Sequence, residues 1–294
     1  SDTTLTPPMD YKTTAELTRR DGDPARGELI YRRPALACVT CHAIGGAGGK
    51  LGPDMTSLGA SAPLDYIIES MIEPALKVKE NYHAVTLALK DGTEVSGIQA
   101  SETAQEIIIR NAAGGEQTVV KSQIVNKTNI GSIMPAGLIA PLQARERLDL
   151  FAFLGELGKP GPFDASKGNV ARVWRLYPGI TEPAALKTPN ASPGFPVYTL
   201  VDGRFPHEQL AEALQPFAGQ ERVLAVTHFQ SSGKTRLELT GVTRAWVDER
   251  PLPLEAETAL ELSAGEHTLA VELKPAELPA LLHLESPEAR FLNY

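Results

Sequence analysis

The stretch Cys38-Val39-Thr40-Cys41-His42 decides how the rest of the chain is read. Two thiols stand one helical turn apart, an imidazole follows the second, and no other cysteine occurs in the 294 residues. One such pair cannot staple a chain of this length, so these cysteines are there for chemistry. Reading outward, the pentapeptide is expected to be a short helical turn. Before it, Asp23-Pro24 signals a helix start, because aspartate caps free N–H groups and proline suits the first helical position. That helix is expected to carry Gly27, Leu29, Ile30 and Tyr31 and to end near Arg33, ahead of Pro34. After the pentapeptide come a glycine-rich loop, Gly45 to Gly52, and a helix from Pro63 to Glu73. In that helix Ile67, Ile68, Met71 and Ile72 recur at helical spacing, and Pro74 stops it.

From Ala84 the period becomes that of strands. Val85-Thr86-Leu87-Ala88-Leu89 leads to Asp91-Gly92 and then to Glu94-Val95-Ser96-Gly97-Ile98, a hairpin pattern. Ile107 to Ile109 and Val119-Val120, around Gly114-Gly115, extend it into a small antiparallel β insert at about residues 84–125. Helical spacing returns after Pro141, with Leu148, Phe151, Phe153, Leu154 and Leu157 on an apolar face, and Gly158-Lys159-Pro160-Gly161-Pro162 marks a domain boundary. Beyond it about eight short apolar runs between Gly/Pro-rich turns, with one helix near His207 to Phe217, fit a β sandwich or jelly roll. The expected fold class is therefore α+β. An arm or linker occupies residues 1–20, a mainly α domain with the β insert occupies 21–159, and an all-β sandwich or jelly-roll domain occupies 163–294.

Composition excludes several function classes. The chain is 42% hydrophobic and 22% charged, as expected for a globular protein and unlike a disordered or fibrous one. A net charge of −8, with the acidic excess shared by both halves, argues against a nucleic-acid binder, whose affinity rests on Lys and Arg neutralising phosphates. No run approaches the ~20 apolar residues that span a membrane. Any secretion signal is expected to lie upstream of Ser1 or to have been removed.

Two thiols one turn apart with a histidine next to them form the attachment sequence of c-type haem: the thiols bond both vinyl groups and the histidine supplies an imidazole to the iron. The dithiol reading of C-x-x-C wants a βαβ context that is missing here, and a zinc site wants a further pair of Cys or His ligands. The sequence thus predicts one haem c, attached through Cys38 and Cys41. Trp174 and Trp246-Val247-Asp248 offer two readings, an aromatic platform for a sugar ring or core packing. His207, His228, His267 and His283 lack metal-like spacing and are expected at surface or structural positions.

Residues 20–158 resemble a class I c-type cytochrome, with Gly27 and Tyr31 in the first helix and Leu148 to Leu157 in the last. More closely, Gly45-Gly46, Gly52-Pro53-Asp54-Met55-Thr56, Ser70-Met71-Ile72-Glu73-Pro74, Lys90-Asp91-Gly92, Ser132-Ile133-Met134-Pro135-Ala136-Gly137 and Asp149 to Leu154 resemble the planctomycete-type haem-binding domain family. The resemblance implies that His42 is the proximal iron ligand and Met134 the distal one, with the Pro53 carbonyl taking the Nδ1 proton of His42. It leaves Met55 and Met71 as apolar packing. His83 is the rival distal ligand, and Tyr82 a candidate hydrogen-bond donor to a haem propionate.

The function these expectations add up to is outer-sphere electron transfer by a monohaem cytochrome, a carrier rather than an enzyme. The donor would be a dehydrogenase, fused or separate, and the acceptor a cytochrome or oxidase; the setting would be periplasmic or otherwise extracytoplasmic. Two alternatives stay open: a glycan- or partner-binding adaptor with an accessory haem, and a haem enzyme or sensor with a labile sixth ligand.

Overall fold

A computed structural model describes residues 10–111, 115–187, 193–254 and 258–293. The chain divides into two units, one formed by Ser1–Ile44 and Gly48–Phe163, the other by Gly45–Ala47 and Asp164–Tyr294.

In the first unit, α1 (Tyr11–Asp21) is capped by the Asp10 carboxylate and buries Thr14, Ala15 and Thr18, so residues 11–21 are helical rather than a loose arm. Residues 1–9 of that arm lie outside the described residues. Asp23 accepts from the N–H groups of Ala25 and Arg26 and starts α2 (Pro24–Tyr31); Arg33 is extended ahead of Pro34, as the proline ring demands. A 3-10 turn (Pro34–Leu36) leads to α3 (Cys38–Cys41), followed by α4 (Leu58–Ser61) and α5 (Leu64–Ile72). The last helix of the unit, α6 (Ala144–Glu156), opens on a capping box between Gln143 and Glu146 and buries Leu148, Leu150, Phe151, Phe153 and Leu154. Helix α2 crosses α6 at Gly27, where any Cβ would lie 1.9 Å from the Asp149 carbonyl oxygen, and Tyr31 and Phe153 stack obliquely with ring centroids 5.5 Å apart.

Between α5 and α6 runs a five-stranded antiparallel sheet in the order β4-β3-β2-β1-β5. Its strands are β1 (Ala84–Leu89), β2 (Glu94–Glu102), β3 (Glu106–Arg110), β4 (Glu116–Val120) and β5 (Ile124–Gly131). The Asp91 carboxylate closes the first hairpin by accepting from Thr93 N–H and Oγ1, and Gly92 supplies the positive φ of 84°. Val85, Leu87, Ile107, Ile109 and Val119 make a core of their own on one face. The sheet reaches residue 131, past the expected end at 125, because β5 returns to pair with β1. Gly114, in the expected turn between β3 and β4, lies outside the described residues.

The second unit contains β6 (Val173–Pro178), β7 (Phe195–Tyr198), β8 (Phe205–Pro206), α7 (His207–Leu214), β9 (Val223–Ser231), β10 (Lys234–Thr240), β11 (Ala245–Val247), β12 (Arg250–Pro251), β13 (Thr258–Glu261), β14 (Gly265–Leu273), β15 (Leu281–Glu285) and β16 (Arg290–Leu292). A seven-stranded sheet runs β12-β11-β14-β9-β6-β7 with β16 also on β9, and a four-stranded sheet runs β13-β10-β15-β8. The architecture is sandwich-like. Trp174, Ala225, Phe229, Leu269 and Val271 of the larger sheet share a core with Phe205, Leu237, Leu282 and Leu284 of the smaller one and with Leu210 and Leu214 of α7. On the opposite face Leu224, Val226, Trp246 and Ala270 form a second cluster with Tyr177, Ile180 and Leu186. Successive side chains of a strand point to opposite faces, so β9, covered on both, is buried almost continuously and opens on the apolar run Val223-Leu224-Ala225-Val226.

These counts correct the expected fold class. Among the described residues sixteen strands lie in three antiparallel sheets, while the longest helix, α6, has 13 residues. The chain is mostly β, and its N-terminal half is not a mainly α cytochrome c domain carrying a small β insert: the segment between α5 and α6 is a five-stranded sheet with its own core. The paired tryptophan platform is also absent, because Trp174 and Trp246 are buried to 1% and 3% exposure in separate clusters.

Candidate functional site

Ala37, in the left-handed region at φ 52°, turns the chain into the single turn of α3, and His42 leaves it in an extended conformation. The glycine-rich loop then folds back over that turn: Gly49 N–H donates to the Val39 carbonyl at 2.8 Å, Gly52 N–H to Cys41 at 2.7 Å and Met55 N–H to Ala43 at 2.8 Å. Two of these glycines are obligatory. A Cβ on Gly49 would lie 1.8 Å from the Thr40 carbonyl oxygen, and one on Gly52 would lie 2.4 Å from Cε1 of His42.

The imidazole sits between that glycine and the Pro53 carbonyl, to which Nδ1 donates at 2.7 Å. A carbonyl only accepts, so the proton is on Nδ1 and Nε2 is left with a lone pair. Burial lowers the His42 pKa, partly opposed by the Pro53 carbonyl, which favours this neutral form. The Tyr31 hydroxyl donates to the His42 carbonyl at 3.3 Å, and burial raises the pKa of that phenol.

The thiols differ in setting. Cys38 is buried, its Sγ 3.7 Å from the Leu36 carbonyl, and burial pushes its pKa up to about 11. Cys41 is half-buried and is raised by the same cause. Both are free thiols, protonated at neutral pH, and therefore poor nucleophiles as they stand.

The structure brings Cys38, Cys41, His42 and Pro53 together in one folded loop. Met134 stands in the segment after β5, half-buried, its N–H donating to Ser132 Oγ at 3.1 Å. Tyr82 and His83 lie just before β1; His83 is exposed and lines a cavity of about 360 Å³ with Glu80, Asn81, Gln99, Lys127 and Asn129. Sequence reasoning marked the loop Gly45 to Gly52 but not the locking role of Gly49 and Gly52, since only the folded loop shows which carbonyl or ring each one faces.

The expected cofactor is corrected by the side chains that the structure gathers. Among the described residues no group of three or more His, Cys, Asp or Glu side chains gathers to hold a metal ion. One haem c attached through Cys38 and Cys41 is therefore not supported. Among the same residues no helix is long and apolar enough to cross a membrane. No protein-family model matches this chain, and no curated protein does.

Proposed function

We propose that the chain is an electron-transfer protein, a carrier rather than an enzyme, whose redox site is the loop of Cys38, Cys41 and His42. The observation that carries this reading is the fixed imidazole: Nδ1 is bound to the Pro53 carbonyl at 2.7 Å, and the ring is walled by Gly52. A redox site works best when the groups around it scarcely move, and a ring fixed by a backbone carbonyl and a glycine beside the two thiols meets that need. Its partners on this reading are a dehydrogenase as donor and a cytochrome or oxidase as acceptor.

Protein-film voltammetry and visible spectroscopy of the natively purified full chain test this. The expected result is one reversible couple that disappears in Cys38→Ser/Cys41→Ser and shifts in His42→Ala. Thiol titration of the same samples tells a dithiol–disulfide couple from a bound redox group. A wild-type protein silent in voltammetry and unchanged by these substitutions overturns the proposal.

A further inference from the structure

Strands β11 and β12 are joined by Asp248 and Glu249, both at positive φ, 47° and 70°, a turn that non-glycine residues seldom adopt. The turn brings the Asp248 carboxylate onto β14. Oδ1 accepts from Thr268 N–H at 3.0 Å, and Oδ2 lies 2.6 Å from Nδ1 of His267. The other ring nitrogen, Nε2, lies 2.9 Å from the carbonyl of Ser263, in the turn between β13 and β14. His267 itself is 5% exposed and lies against Phe229 of β9, ring centroids 5.5 Å apart.

Both oxygens that face this ring are acceptors only. A neutral imidazole has one N–H and can serve one of them; the imidazolium has two and serves both. Arg250 of β12 and Glu261 of β13 line the same cavity of about 460 Å³ as Asp248, Ser263 and His267, and Glu249 stands next to Asp248 in the turn. On β14, Glu266 pairs with His228 of β9 at 3.3 Å, and Phe229, from β9, is uncharged.

We propose that His267 is a pH-sensitive clasp: as imidazolium it ties the β11–β12 turn to the β13–β14 turn beside the cavity, and loss of one ring proton frees the Ser263 carbonyl. The carboxylate keeps the proton that remains, being the stronger acceptor. Burial works against the charged ring, but the Asp248 carboxylate and the Ser263 carbonyl outweigh it, so the midpoint lies above that of an ordinary histidine. The stabilisation is then complete below the unfolded midpoint near pH ~6.5 and is lost as pH rises through the higher folded midpoint.

NMR of the full chain from about pH 5 to 9 tests the clasp, reading the His267 ring nitrogens and the amides of residues 262–265. His267 is expected to carry two ring protons at the low end, to titrate above the ordinary value, and to move those amides at the same midpoint. Asp248→Asn is expected to bring the midpoint down, and the amides with it. Should that variant fail to fold, His267→Gln supplies the second reading, with amides that no longer respond across the range. A His267 that holds a single ring proton at pH ~6, or turn amides that stay still while it titrates, overturns the proposal.

Discussion

At the scale of single residues, the imidazole of His42 is oriented by what cannot be added beside it. The Gly52 position has no space for a side chain, because the His42 ring fills it. Gly52→Ala must push the ring off the Pro53 carbonyl or move the loop, an overpacking expected to cost about 1–3 kcal/mol. Gly92→Ala is the fitting control: its φ is 84° but no atom lies within 4 Å of the added carbon, so only backbone strain of about 1 kcal/mol is expected. Chemical denaturation should rank the two in that order, and the Nδ1–H resonance of His42 should change in Gly52→Ala alone. Equal losses, or an undisturbed His42 in Gly52→Ala, would show that the loop yields freely. That Cys38, Cys41 and His42 share one short folded segment was legible in sequence because they fall within five residues. The partnership of Asp248 with His267 was not, since the two stand 19 positions apart and meet only across a turn.

Among the elements, the start of α2 was legible because Asp23-Pro24 carries its own capping chemistry, whereas α1 was hidden because its buried face is made of Thr14, Ala15 and Thr18, residues that leave no apolar period. Strand β5 escaped for the opposite reason: it is an edge strand, exposed along most of its length, and an exposed edge needs no alternation. The joint between α2 and α6 rests on a group that composition alone would have placed in solvent. Asp149, only 2% exposed, accepts from the Asp23 N–H at 2.8 Å and from Arg26 Nε at 2.9 Å. Asp149→Ala leaves the part-buried Asp23 N–H without its acceptor and leaves Arg26 only the Asp23 carboxylate, and is expected to cost about 2–3 kcal/mol, discounted because Arg26 is half-exposed. Asp23→Ala removes a cap and is expected to cost about 1 kcal/mol. If urea midpoints put the cap above the buried carboxylate, the joint is not held as described.

For the whole molecule, the helical reading of the N-terminal half gave weight to motifs near the cysteines and too little to strands whose apolar residues, such as Ile107 and Ile109, close a separate small core. The two units have distinct cores, one built around Phe153 with Tyr31 and Phe163, the other around Phe229 with Phe291 and Trp174. Calorimetry of the full chain is expected to resolve two transitions. Phe153→Ala should lower one and Phe229→Ala the other, each by roughly 10 °C, from about 3–5 kcal/mol for a deleted core aromatic. The pH dependence assigns them independently. His267 belongs to the second unit and its folded pKa is raised, so the transition that Phe229→Ala lowers should itself fall as pH rises from about 6.5 toward 9, and His267→Gln should flatten that slope. The transition that Phe153→Ala lowers should not respond to His267→Gln. A single transition shifted by both core substitutions, or a His267→Gln effect on the first unit, would mean that the two cores melt as one.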